Sequence, residues 1–425
     1  MNKTFITYNL GCKVNAYELS AISSLLLAKG YKEDSVNPGV VIINTCSVTA
    51  TADQKSRQHI RKMQKMFPNA IIAVMGCYAQ GNYEFIRDEI KPNILLGTSH
   101  RRDVVDLIEK AINTNETITC VDENTRAFTY EELGITSYSE NVRAFLKIQD
   151  GCSNFCTYCI VPYRRGKMRS RNKENVLEEA KHLVEQGYQE IVLTGIHVGG
   201  YGQDLKDCSF SSLVEEITNV PNLKSVRISS IEESEIDDKL INLFQAKDNL
   251  AKHLHIPLQS GSNHVLKMMN RKYIREQFIS TVKKIKAIMP GVMISGDVIV
   301  GFPQESEEDF LDTYRLCEEC FDMLHVFPYS VRPGTVAARM DGQISPDCKK
   351  KRSKVLLDLG DKLYEKFANR FIGQDITVLI EKYDEQKGVN IGHTSNYLSV
   401  EIPLKESKVG QYITVKLQKD MILSK

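Results

Sequence analysis

The sequence has no apolar stretch long enough for a signal peptide or a membrane span, so it reads as a cytosolic protein. It has almost no net charge, +1 over 425 residues, and is therefore no polycation; any nucleic-acid contact has to come from local basic patches. It also lacks the makings of a disulfide framework, because its 11 cysteines are an odd number in a chain read as cytosolic. No histidine lies near the densest cysteine group to complete a four-ligand zinc site. Signs of disorder are missing as well: the apolar share, 42%, is near the globular average and can build the cores of two or three domains.

Foremost among what is present are Cys152, Cys156 and Cys159, spaced C-x3-C-x2-C between Gly151 and Pro162 and preceded by the strand-like run 145–148. Three thiolates can occupy three corners of a cubane iron–sulfur cluster and leave the fourth iron free to bind and reduce a ligand. The bland alternative is three small buried loop residues, but cysteines this dense between glycine and proline fill a core poorly.

Upstream, apolar strand patterns at 5–8, 40–43 and 71–75 alternate with helical patterns at 16–29 and 52–66. That alternation predicts a small parallel α/β domain, whose ligands collect at the carboxyl ends of the strands. Each strand runs into a cysteine within a few residues: Cys12, Cys46 and Cys77. Converging at one sheet edge, they would make a second three-thiolate site. Cys120, Cys208, Cys317, Cys320 and Cys348 have no comparable placement and read as structural or incidental; Cys317 and Cys320 simply share one face of a helix.

A helical pattern at 101–111 leads to a polar connector. Beyond it, strand patterns at 145–148, 190–193, 225–228, 253–256, 293–300 and 323–327 alternate with helices that include 174–186, 273–289 and 304–320. Six such units are too few for a closed eight-stranded barrel, so an open, partial (β/α)6 barrel is expected, with chemistry at the strand ends. Gly195, Ser229, Gln259 and Gly301 sit at those ends, where glycine permits close approach and polar groups can bond a nucleoside ligand. His197, His253 and His255 read equally as cofactor contacts or as polar residues inside the barrel, and stay unassigned. After a basic helical segment at 349–369, short alternating strands at 374–380, 388–392, 397–402 and 411–417 predict a small antiparallel β-barrel of a size that binds nucleic acid. The fold class is α/β, divided into an N-terminal domain 1–113, a connector 114–142, a barrel domain 143–360 and a small β-domain 361–425.

Taken together, these motifs resemble the methylthiotransferases of the radical S-adenosylmethionine superfamily over nearly the full length. The three-cysteine signature with Tyr158, the segments at 44–46, 76–80 and 194–195, the segment 269–271 and the run from Asp297 to Pro303 carry the likeness. The resemblance implies an auxiliary [4Fe–4S] cluster on Cys12, Cys46 and Cys77, a radical-generating [4Fe–4S] cluster on Cys152, Cys156 and Cys159, and a C-terminal TRAM domain. It implies S-adenosylmethionine contacts at Tyr158, Gly195, Ser229, Gln259, Arg271 and Asp297. It also implies two uses of that cofactor: one molecule methylates sulfur at the auxiliary cluster, and another is cleaved to a 5′-deoxyadenosyl radical that takes hydrogen from an unactivated C–H bond. Such chemistry belongs to cofactors rather than side chains.

Within the family, 44–49, 52–58 and 148–152 look most like the group that modifies N6-threonylcarbamoyladenosine next to the tRNA anticodon. Residues 159–163 also resemble the group acting on prenylated adenosine, and a third group modifies an aspartate of a ribosomal protein. The expected partner is a tRNA anticodon stem-loop, its phosphates held by Arg57 and Arg61 after Cys46 and by Arg164, Arg165 and Arg169 after the cluster loop. An electron donor and a sulfur source are required, and no membrane is. A non-enzymatic reading, an RNA-binding protein with a structural cluster, predicts a fully ligated cluster indifferent to S-adenosylmethionine.

Overall fold

Val40 to Ile43 and Ile71 to Met75 are apolar without alternation, the signature of strands covered on both faces. In the computed structural model, which describes residues 2–134 and 142–424, they lie within β3 (Val40–Thr45) and β4 (Ile71–Gly76), after β1 (Thr4–Asn9) and β2 (Lys32–Glu33). With β5 (Ile94–Leu96) and β6 (Ile118–Cys120) they form a six-stranded parallel sheet, ordered β2-β1-β3-β4-β5-β6. Helices Lys13–Ala28 and Val104–Thr114 bury Leu19, Ile22, Leu26 and Ile108 on one face; helix Ala50–Met66 buries Ile60 and Met63 on the other. Strand β6 falls inside the expected connector, so the sheet extends beyond residue 113. Three residues between polar flanks are too short an apolar run to announce a strand. Residues 135–141 of that connector lie outside the described residues.

The second domain starts with β7 (Arg143–Lys147), followed by a short antiparallel ribbon, β8 (Gln149–Asp150) and β9 (Arg169–Ser170), that brackets the cysteine loop. Next come β10 (Glu190–Thr194), β11 (Ser225–Ile228), β12 (His253–His255), β13 (Met293–Val300) and β14 (Met323–Pro328). They form two parallel three-stranded sheets, β11-β10-β7 and β12-β13-β14, and a bridge between Val226 and Leu250 links the two into an open six-stranded barrel. Cys317 and Cys320 are buried in its apolar core. Helix Pro346–Asn369 runs through the expected boundary at residue 360 and packs on β14, so no linker separates the last domain from the barrel. That domain is a four-stranded antiparallel sheet, β17-β16-β15-β18, built from β15 (Asp375–Asp384), β16 (Val389–Thr394), β17 (Ser399–Ile402) and β18 (Tyr412–Lys416), with one further bridge from Val400 to Ile422. It docks on the barrel: Arg227 donates to the Ser395 carbonyl at 3.1 Å, and Arg143 pairs with Glu381 at 2.6 Å. Among the described residues, no helix is long and apolar enough to cross a membrane.

The N-terminal domain and the barrel meet at a buried cluster of charges. Glu18, on helix Lys13–Ala28, accepts from Arg101, from Lys147 at 3.1 Å and from Arg165 at 2.8 Å. Asp150 accepts from Lys147 at 2.7 Å and from Arg165 at 3.1 Å, and pairs with Arg169 at 3.2 Å. Burial opposes the charge on Glu18, but Arg101, Arg165 and Lys147 outweigh it and hold the carboxyl well below the usual range. For Asp150, Lys147, Arg169, Arg165 and Arg101 do the same against burial. Removing one partner would leave buried charge uncompensated, so Glu18→Gln is expected to cost about 3–5 kcal/mol in urea unfolding at pH 7. Because both folded carboxyls titrate below their unfolded values, their contribution is complete above about pH 4.5 and lost as pH falls from there. Urea midpoints of the wild type at pH 7 and pH 4 check that sign.

Candidate functional site

Strands β1, β3 and β4 are neighbours in register, Asn9 beside Asn44 and Thr45 beside Gly76, so the residues that follow them share one sheet edge. Cys12 there is the N-cap of helix Lys13–Ala28, Cys46 follows β3, and Cys77 opens the helix Cys77–Gly81. The thiols sense one another electrostatically, Cys46 feeling both Cys77 and Cys12. The edge is held by Asn15, whose Nδ2 donates to Asn44 Oδ1 at 2.6 Å while its Oδ1 accepts from the Cys12 thiol at 3.2 Å. Gly76 adopts φ 102°, and a Cβ there would meet Asn44 Oδ1 at 2.3 Å; the approach demands glycine. From the barrel, Arg165 Nε donates to Cys77 Sγ at 3.2 Å.

The second trio occupies the loop between β8 and β9. Gly151, at φ 70°, lets the chain turn where a Cβ would lie 2.0 Å from the Lys167 carbonyl. Cys152 N donates to the Gly166 carbonyl at 3.1 Å and Cys159 N to the Cys156 carbonyl at 2.9 Å. Residues after helix Asn263–Met268 cradle the loop: the Met269 carbonyl accepts from Thr157 N at 3.1 Å, and Asn270 Nδ2 donates to the Phe155 carbonyl at 3.1 Å. Arg271 pairs with Glu232 and donates to Cys156 Sγ at 3.4 Å. Burial pushes the free thiols of Cys46 and Cys152 to about 11 and that of Cys159 to about 12. A bound metal reverses this by ligating the thiolate and releasing the proton.

Two cavities open beside the trios. One, of about 220 Å³, is lined by Tyr158, Cys159, Gln259 and Asp297 together with Val48 and Thr49 of the N-terminal domain. The other, of about 450 Å³, is lined by Cys12, Lys13, Gly195, Ser229, His255 and Asp297, among others, and reaches Tyr397 of the last domain. Asp297 faces both. Burial opposes its charge, but hydrogen bonds from His255 and His325 hold its carboxyl below the usual range. His255 in turn reaches Ser295 Oγ at 3.0 Å, which His253 meets at 2.8 Å. His197 pairs instead with Glu235. Lys13 and His325 were not singled out from sequence; a cation adjoining Cys12 was the available signal for the first, and β14 offered none for the second.

The basic residues divide. Arg61 is exposed, Arg57 is half-buried and bonded to Tyr78 Oη at 3.3 Å, and Arg164 is half-buried. Arg165 and Arg169, expected on phosphates, are 0% and 7% exposed and belong to the cluster around Glu18 and Asp150. That expectation is corrected: both cations are already paired inside the protein.

The donor sets fit iron–sulfur clusters better than single ions. Tetrahedral zinc at about 2.3 Å from each sulfur would bring thiolates within roughly 4 Å of one another. Among the described residues, the one cluster of three such donors all within 4.8 Å of one another is His255, Asp297 and His325, and neither cysteine trio is that tight. Wider sets of three soft thiolates suit a cluster of several irons. The His–Asp–His group already satisfies itself with hydrogen bonds.

Residues 146–317 match the radical SAM superfamily, and residues 4–97 match an uncharacterized protein family, UPF0004. The chain is 43% identical over 423 residues to the threonylcarbamoyladenosine tRNA methylthiotransferase MtaB of Bacillus subtilis, covering 98% of this chain and 94% of that one. It is 33% identical over 428 residues to a tRNA-2-methylthio-N(6)-dimethylallyladenosine synthase of Acetivibrio thermocellus, covering 98% and 88%. Among solved structures, the radical S-adenosylmethionine methyltransferase TsrM from Kitasatospora setae, with cobalamin and a [4Fe-4S] cluster bound, matches with a TM-score of 0.58 at 13% identity, over 80% of this chain and 77% of that one; the likeness is one of fold.

If each trio holds one four-iron cluster, anaerobically reconstituted wild type should contain roughly eight irons per chain, and Cys12→Ala or Cys152→Ala roughly four. Iron and sulfide analysis checks this.

Proposed function

The chain belongs to the radical S-adenosylmethionine methylthiotransferase family, and from that premise we propose that it converts N6-threonylcarbamoyladenosine next to the tRNA anticodon to its 2-methylthio derivative. Enzymes of this family use S-adenosylmethionine and [4Fe–4S] clusters. The observation that carries the reading is the pair of cysteine trios, each beside a cavity, with Asp297 common to both cavities. When bound, the clusters supply the electron that cleaves S-adenosylmethionine and a place to hold the sulfur.

The chain's own residues then have positional tasks. We assign Cys152, Cys156 and Cys159 to the radical cluster and Cys12, Cys46 and Cys77 to the auxiliary one. Tyr158, Gln259 and Asp297 would contact S-adenosylmethionine on the first side, with Arg271 holding Cys156. Gly195 and Ser229, the further expected contacts of S-adenosylmethionine, line the second cavity, where the substrate adenine would approach Cys12. Arg61, with Lys55, Lys62 and Lys65 on the exposed face of helix Ala50–Met66, offers a surface for the phosphates of a stem-loop, and the C-terminal sheet a second contact. The first domain and the barrel would share the chemistry and the last domain the RNA, with the enzyme in the cytoplasm beside its tRNA. An electron donor and a sulfur source complete the reaction.

A second reading, prenylated adenosine as substrate, draws on relatives such as the Acetivibrio thermocellus enzyme; the higher identity to the Bacillus subtilis relative favours the threonylcarbamoyl nucleoside. Mass spectrometry of tRNA nucleosides from cells with and without the gene decides: loss of the methylthio group from threonylcarbamoyladenosine alone is expected, and loss only from the prenylated nucleoside overturns the assignment. In the purified enzyme, Cys152→Ala should abolish S-adenosylmethionine cleavage. Cys12→Ala should keep cleavage yet give no thiomethylated RNA.

A further inference from the structure

The larger cavity is lined by a cation without a partner among the described residues. Lys13 lines it and is exposed to solvent there. Among the described residues it makes no hydrogen bond or ion pair. The ionic side chains nearest it are Arg143, Arg227 and Glu190, and the acid among them is engaged: Glu190 is bonded to Arg227 at 3.1 Å and sits 3.7 Å from Arg143. The carboxylate across the cavity, Asp297, is engaged by His255 at 3.2 Å and His325 at 3.4 Å. An ammonium lining a cavity beside the Arg227 guanidinium, with Glu190 and Asp297 already engaged, is a cation left available to a ligand that enters the cavity. The ligand it calls for is an anion, and a carboxylate matches a single ammonium beside the hydroxyls of Ser229 and Ser230.

Resting on the substrate reading above, we propose that Lys13 binds the carboxylate of the threonyl group on the target nucleoside. The position suits it. Lys13 adjoins Cys12, where the adenine must come to receive sulfur, and the threonylcarbamoyl group extends from the same ring and ends in a carboxylate. A prenyl group ends in methyl groups and would leave Lys13 unpaired, so one side chain separates the two nucleosides by charge. The other carboxylate available here is that of S-adenosylmethionine, and the test distinguishes the two.

The full-length, cluster-reconstituted protein is titrated by fluorescence anisotropy with three anticodon stem-loops, bearing threonylcarbamoyladenosine, its methyl ester or unmodified adenosine; S-adenosylmethionine affinity is measured alongside by calorimetry. A charge-assisted bond predicts that wild type prefers the acid over the ester by about 10- to 100-fold, that Lys13→Met loses this preference, and that Lys13→Arg keeps much of it. Equal binding of acid and ester by wild type, or a preference that survives in Lys13→Met, overturns the proposal. Lost S-adenosylmethionine affinity with the RNA preference intact overturns it too and assigns the subsite to the cofactor. The ester comparison uses wild type alone and so stands even if Lys13→Met fails to fold. If wild type acts on prenylated stem-loops and ignores both threonylcarbamoyl forms, the substrate reading itself has failed, an outcome distinct from a Lys13 that is dispensable for a threonylcarbamoyl enzyme.

Discussion

Everything at this site depends on two carboxylates buried under four cations at the junction of two domains. Glu18 comes from the helix that Cys12 caps, and Asp150 stands two residues before Cys152. Arg165 joins them and also reaches Cys77. Each trio therefore has a member tied within a few bonds or residues to the same charges. Burying ions is a weak way to gain stability compared with apolar packing. What such a cluster provides is direction: it is satisfied only when the sheet edge and the barrel loop face each other, whereas apolar surfaces would tolerate sliding.

The glycines act in the same sense at shorter range. Gly76 and Gly151 each precede a cysteine of one trio at positive φ, with backbone or amide atoms where a side chain would begin. They let the chain turn sharply from strand to cysteine, so Cys77 and Cys152 stand directly at the strand ends.

Much of this was legible in the sequence, for a physical reason. Strands covered on both faces are apolar throughout, and cysteines at their ends announce a sheet-edge site, so the α/β first domain and the open barrel could be read directly; Cys317 and Cys320, read as structural or incidental, lie in the barrel core. What could not be read was pairing across the chain. Arg165 and Arg169 look like a solvated basic run because their buried partners do not show in the sequence: Glu18 lies 147 residues from Arg165, and nothing marks Asp150, which pairs with both, as buried. Strand β6 was too short to show, and the helix across residue 360 hid a domain boundary because a helix continues whatever it joins. Lys13 went unnoticed because one lysine on a helix is ordinary until the surrounding groups are known to be spoken for.

The unbroken helix Pro346–Asn369 has a consequence for how a folded RNA is measured. At about 1.5 Å per residue, its 24 residues form a strut of roughly 36 Å. Packed on β14 and continued into β15, it seats the last sheet directly against the barrel, where a flexible tether would let it wander. An RNA held by that sheet, as proposed, would present its loop to the cavities at one distance, and the second contact would form at an effective concentration fixed by geometry. In that sense the helix would act as a caliper: a stem one turn too long or too short would meet the same chemical groups and still miss the cavities.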